Sequence, residues 1–140
     1  MRYLAVAVVI GFVVAMAAYG SARDRGQERI EIVINHSRFE PSSVTVDAGE
    51  EVTFVLVNRD PIAHEFIVGD RTIQHVHEKG TEAHHDEIPT EVSVPAGRTV
   101  TTTIEFAQAG PLVAADPLLF GCHLPNHYAF GMKGNIEIRT

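Results

Sequence analysis

The sequence predicts an all-β fold, a Greek-key β-sandwich or barrel of about eight short strands that follows an N-terminal hydrophobic segment. Three observations predict it. Apolar residues recur with period two through most of the chain, as in half-buried strands. Gly and Pro turns punctuate them at short intervals. Beyond the first 22 residues no segment has the 3.6-residue period of an amphipathic helix.

Residues 1–22 stand apart from the fold. Arg2 gives a positive start, Tyr3 to Tyr19 carry no charge, and Gly20-Ser21-Ala22 place small residues where a signal peptidase needs them. Two readings stay open: a signal peptide cleaved after Ala22, and a retained membrane anchor, since about 20 apolar residues span a bilayer. Both send the domain across a membrane, to the periplasmic or extracellular side. Residues 23–29 read as a charged linker, and residues 30–140 as the domain.

Ile30, Ile32 and Ile34 form the first alternating strand, and Ser43 to Asp47 a second, ended by Ala48-Gly49. Val52 to Val57 is rich in β-branched and aromatic residues. Asn58-Arg59-Asp60-Pro61 is a turn, because Pro presets its dihedral and Asn and Asp tolerate turns. His64 to Val68 resumes the strand pattern. Glu91 to Val94, the turn Pro95-Ala96-Gly97, and Thr99 to Phe106 read as a hairpin; Leu118 to Cys122 and Asn135 to Arg139 complete the set. Residues 69–90 lack a hydrophobic pattern and carry His75, His77, His84 and His85 among Glu78, Glu82, Asp86 and Glu87. They read as a polar, mobile insertion that offers a weak second site for Cu(II) or Zn(II), since imidazoles and carboxylates both coordinate these ions.

Charge narrows the function classes. Eighteen acidic against eleven basic side chains give a formal net charge of -7, which argues against a nucleic-acid binder. A single cysteine excludes an internal disulfide, and a lone thiol in an oxidising compartment is a liability unless it has a task. No nucleophile motif of a hydrolase is present, and the chain is expected not to be an enzyme.

The task is suggested by the loop that begins at Cys122. Cys122, His127 and Met132 bring a thiolate, an imidazole and a thioether into one short segment bounded by Gly131 and Gly134. Soft sulfur and nitrogen donors of these kinds suit copper in both oxidation states. A fourth donor must come from elsewhere, and His64, at a strand start just after a Pro-containing turn, is the best candidate. His123 follows the cysteine directly, so strand alternation points it the other way. His36 reads as a surface residue.

The ordered set His64, Cys122, His127 and Met132 resembles the ligand pattern of the cupredoxins, the family of plastocyanin, azurin and rusticyanin. The spacing C-x4-H-x4-M is most similar to the rusticyanin-type loop. Phe39-Glu40-Pro41, Val44-Thr45-Val46, Ala48-Gly49-Glu50 and Asn58 to His64 also resemble the family's early segments. The resemblance implies one mononuclear type 1 copper ion, with His64, Cys122 and His127 as the equatorial set and Met132 as the weak axial ligand. It also implies electron transfer, with copper buffering, resistance or delivery as the alternative. The partner would be a redox protein or a copper acceptor docking on the apolar ring around His127, formed by Leu124, Pro125, Tyr128 and Phe130. Enzymes with such a loop add copper centres on further domains, for which this chain has no room. One position departs from the pattern. Many members have Asn after the early His, tying the two ligand segments together; Glu65 stands there, which leaves that tie an open question.

Overall fold

The alternating segments pair into two sheets. The computed structural model describes residues 28–80 and 88–140. The elements are β1 (Glu28–Ile34), β2 (Phe39–Glu40), β3 (Ser43–Asp47), β4 (Glu50–Asn58), β5 (His64–Gly69), α1 (Arg71–Glu78), β6 (Glu91–Val94), β7 (Thr99–Phe106), α2 (Pro111–Ala114), β8 (Leu118–Gly121) and β9 (Lys133–Arg139). One sheet has the order β2-β1-β4-β7, the other β3-β9-β8-β5-β6. β1 runs parallel to β4 and β3 parallel to β9; the remaining pairs are antiparallel. This is the predicted all-β sandwich, with nine strands among the described residues.

The inward residues of both sheets make one core. Ile32, Ile34, Phe54, Leu56, Ile104 and Phe106 of the first sheet meet Val44, Val46, Phe66, Phe120 and Ile136 of the second. Phe39 packs edge-on to Phe66 and Phe120, with ring centroids 5.9 and 5.2 Å apart, a favoured arrangement for aromatic quadrupoles. Gly134 permits the close approach of β9 to this cluster. A Cβ there would lie 2.2 Å from the Phe120 ring and 2.4 Å from the Ser42 carbonyl oxygen.

Three expectations are corrected. The first strand begins earlier: Glu28 and Arg29, read as linker, already pair with Val52 and Thr53 of β4. Ladder hydrogen bonds need only backbone, so charged side chains at a strand start do not prevent pairing. β6 and β7 do not form a hairpin. β6 pairs with β5 and β7 with β4, so Pro95-Ala96-Gly97 carries the chain from one sheet to the other. A local turn signal cannot distinguish the two, because both require the same reversal.

The third correction concerns the His-rich insertion. Its first part is an ordered helix, α1, with Asp70 as N-cap accepting the Ile73 N–H at 2.9 Å. The helix packs with its polar side inward: Gln74 and His77 are 2% and 6% exposed, while Ile73 and Val76 face outward. Gln74 Nε2 donates to the Ile67 carbonyl at 3.0 Å, and its Oε1 pairs with His123 Nε2 at 2.8 Å. The apolar period was hidden because polar anchors hold the helix down. α2 was also not expected; it is a single turn begun by Pro111. The proposed leader, residues 1–22, the linker residues 23–27, and His84 and His85 lie outside the described residues.

Candidate metal centre

The topology brings the three donor-bearing segments to one end of the second sheet. His64 is the first residue of β5, Cys122 directly follows β8, and Met132 directly precedes β9. β5 and β8 are neighbours, as are β8 and β9, so residues distant in sequence converge. The loop between β8 and β9 is closed at its mouth by the Cys122 N–H, which donates to the Met132 carbonyl at 3.1 Å. Inside it the His127 N–H donates to Leu124 O and the Met132 N–H to His127 O, both at 2.9 Å. Asn126 and Gly131, at φ of 70° and 98°, make the left-handed turns this compact path requires.

Three of the four predicted site residues meet directly. Cys122 Sγ lies 3.4 Å from His127 Nδ1 and 3.9 Å from His64 Nδ1. The ligand atoms of His64, Cys122 and His127 all fall within 4.8 Å of one another, the one group of at least three His, Cys, Asp or Glu donors among the described residues close enough to hold an ion. His64 and Cys122 are buried; His127 is half-buried at the rim. A metal bonded at about 2.3 Å to sulfur and about 2.0 Å to nitrogen in a trigonal plane separates those atoms by about 3.7 Å. The two observed separations bracket that figure, so the donors fit a single ion. Met132 is fully buried and hydrogen-bonded through its backbone to both Cys122 and His127.

The electrostatics leave two donors in opposite states. Burial pulls the His64 imidazole below its ordinary pKa, an effect the hydrogen bond and charge of Asp60 only partly oppose. Burial thus favours the neutral imidazole of His64, the form that can bind a metal. Burial pushes the Cys122 thiol up to about 11, although the backbone N–H groups of Glu65 and Leu124 draw it down. A metal must displace that proton to bind the sulfur.

Glu65 resolves the open question about the tie. Its backbone N–H donates to Cys122 Sγ at 3.3 Å, and its Oε2 accepts the His123 N–H at 3.0 Å. The two ligand segments are thus joined at Cys122 and at the residue after it, with a carboxylate in place of an amide. His123 points away from the cluster as expected, stacked on Tyr128 with ring centroids 4.6 Å apart. His36 is exposed, as expected. His75 and His77 do not share a side of α1: one is exposed, and the other is buried, with Nδ1 donating to Ile73 O and Nε2 facing Glu91 at 3.3 Å. Asp60 is the site residue the sequence reading missed. It was read only as part of a turn, yet its Oδ2 lies 2.8 Å from His64 Nε2. Its place four residues before a ligand His was the one available signal.

Comparison with known proteins bears on the fold and the family. The cupredoxin-like domain profile matches residues 5–110. The copper-resistant cuproprotein CopI of Rubrivivax gelatinosus is 32% identical over 127 residues, covering 86% of this chain and 73% of that protein. CopI of Pseudomonas aeruginosa is 27% identical, covering 87% and 83%. Among solved structures, reduced auracyanin from Roseiflexus castenholzii aligns with a TM-score of 0.63 at 22% identity, covering 81% of this chain and 98% of its own. Auracyanin A, a blue copper protein from Chloroflexus aurantiacus, gives 0.62 at 21%, covering 81% and 100%. At such identities these two speak for the fold alone. With the profile spanning most of the chain and a relative above 30% identity, the chain belongs to the cupredoxin-like domain family.

Proposed function

We propose that this protein binds one copper ion through His64, Cys122, His127 and Met132 and serves in copper resistance outside the cytoplasm. The observation that carries copper binding is the buried cluster of one thiol and two imidazoles, with ligand atoms within 4.8 Å. Bound copper supplies exchange of one electron between Cu(I) and Cu(II). The chain's own residues do the rest. Cys122 gives up its proton and offers a thiolate, while His64 and His127 offer neutral nitrogens. Met132 adds a weak thioether that tunes the ion more than it holds it. Burial of Cys122 and His64 keeps water from the sulfur.

The resistance reading draws its support from the two relatives named copper-resistant cuproproteins, which the chain matches over most of its length. The uncharged segment from Tyr3 to Tyr19 supports a place beyond the cytoplasmic membrane. The protein acts as a binder, not an enzyme. Deleting the gene should lower copper tolerance, and the wild-type chain but not Cys122→Ser should restore it. Unchanged tolerance would reject the role while leaving copper binding to be read from the Cu(II)–thiolate absorption band.

Electron transfer is the second reading. Phe130 is 72% exposed, three residues beyond the half-buried His127, and Pro125 is exposed beside it. An apolar rim around a partly accessible ligand is where a redox partner would dock. Rapid electron exchange with a partner protein, together with unchanged tolerance in the deletion, would favour this reading.

A further inference from the structure

Asp60 is a carboxylate, 7% exposed, that meets His64 of the donor cluster. Its Oδ1 accepts the His36 N–H at 2.7 Å. Its Oδ2 accepts the Ser37 N–H at 2.8 Å and lies 2.8 Å from His64 Nε2. His36 and Ser37 both have φ near +50°, a left-handed backbone that costs non-glycine residues energy. Successive N–H groups in such a turn converge on one anion, as here. The Asp60 N–H is itself held by Asn58 Oδ1 at 2.9 Å, and Asn58 Nδ2 donates to the carbonyls of Ile62, Val94 and Pro95. A buried carboxylate fixed by three donors and a wired turn is costly to build for a cap alone.

The chemistry of the ring gives the arrangement a purpose. His64 has two nitrogens, and its Nδ1 faces Cys122. A carboxylate only accepts, so the nitrogen facing Asp60 carries the proton and Nδ1 keeps its lone pair. Carboxylate partners of this kind orient metal-binding histidines and raise their basicity. An ion held at His64 Nδ1 would have this negative charge one imidazole away, which would favour its more highly charged oxidation state.

We propose that Asp60 is a positioning residue for the metal centre: it locks His64 in the tautomer that offers Nδ1 and biases the site toward Cu(II) over Cu(I). This rests on the copper reading above. Its first arm does not. Nitrogen NMR of the isotope-labelled full chain without metal should show His64 protonated at Nε2, with a slowly exchanging, strongly hydrogen-bonded proton. A His64 protonated at Nδ1, or an Nε2 proton exchanging freely with water, overturns the proposal whether or not copper binds. The second arm compares wild type with Asp60→Asn after copper loading. The variant should bind Cu(II) about 10–100-fold more weakly with a smaller loss for Cu(I). Each tenfold change in that ratio raises the reduction potential by about 59 mV. An unchanged or lower potential in the folded variant overturns the proposal, since a purely structural cap would not govern it. If Asp60→Asn fails to fold, the wild-type tautomer decides. Absence of any Cu(II)–thiolate band in the wild-type protein would sink the copper reading and leave the tautomer result standing on its own.

Discussion

Glu65 Oε2 accepts the backbone N–H of His123 at 3.0 Å while the Glu65 N–H donates to Cys122 Sγ, so one residue grips the start of the β8–β9 loop at the thiol and at the residue after it. Glu65→Gln keeps an accepting oxygen and should leave stability near wild type. Glu65→Ala removes it and should cost about 1 kcal/mol in urea unfolding. If copper is loaded, the alanine variant should also broaden the Cu(II) resonance spectrum. Equal stability of the two variants would show that the carboxylate does not hold the loop.

The thiol should be unreactive in the metal-free protein. With Cys122 pushed up to about 11 by burial, alkylation should rise with a midpoint near that pH. An unfolded thiol titrates near about 8.5. The sign follows: a group whose folded pKa is raised contributes stability that is complete below the unfolded value. That contribution is lost as pH rises through the folded one. Metal-free protein should therefore lose stability between about 8.5 and 11, and Cys122→Ser should flatten that decline. Stoichiometric proton release on adding Cu(II) at neutral pH checks the same claim.

Met132→Leu conserves volume in a buried position, so folding should weaken by less than about 1.5 kcal/mol. The variant should keep copper and colour. Its reduction potential should rise, because removing a donor destabilises Cu(II) more than Cu(I). Loss of all copper binding would make Met132 a principal ligand.

Gln74 anchors α1 by bonding both the Ile67 carbonyl and His123. Gln74→Ala leaves these partners without it and should cost about 1–3 kcal/mol, read by denaturant midpoint. The absorption band of a copper-loaded sample should persist, because neither Gln74 nor His123 belongs to the donor cluster.

Most of the sandwich was legible because period-two burial is written directly into segments such as Val44, Val46 and their polar neighbours. Cys122 and His127 share one loop, and His64 opens a strand, so the three-donor cluster was legible too. What escaped shares a physical cause. α1 is held by Gln74 and His77, and polar anchors leave no apolar stripe to read. The passage of the chain between sheets at Pro95 is set by the tertiary partners of β6 and β7, beyond the reach of a local turn signal. Asp60 is held by N–H groups 23 and 24 residues away, and Glu65 bonds across 57 and 58 residues, separations that no local pattern encodes; only the step from Asp60 to His64 is local.

The position of β9 sets an order on assembly. It is the last strand of the chain, yet it lies between β3 and β8. During synthesis all four candidate donors have emerged by Met132, while the strand that joins the two parts of their sheet is still missing. Until Lys133 to Arg139 slot in, β3 has no partner in that sheet, and β8 is paired on one side only. A chain interrupted after Met132 would carry every candidate ligand yet lack the strand that joins β3 to β8 and fixes the far end of the ligand loop.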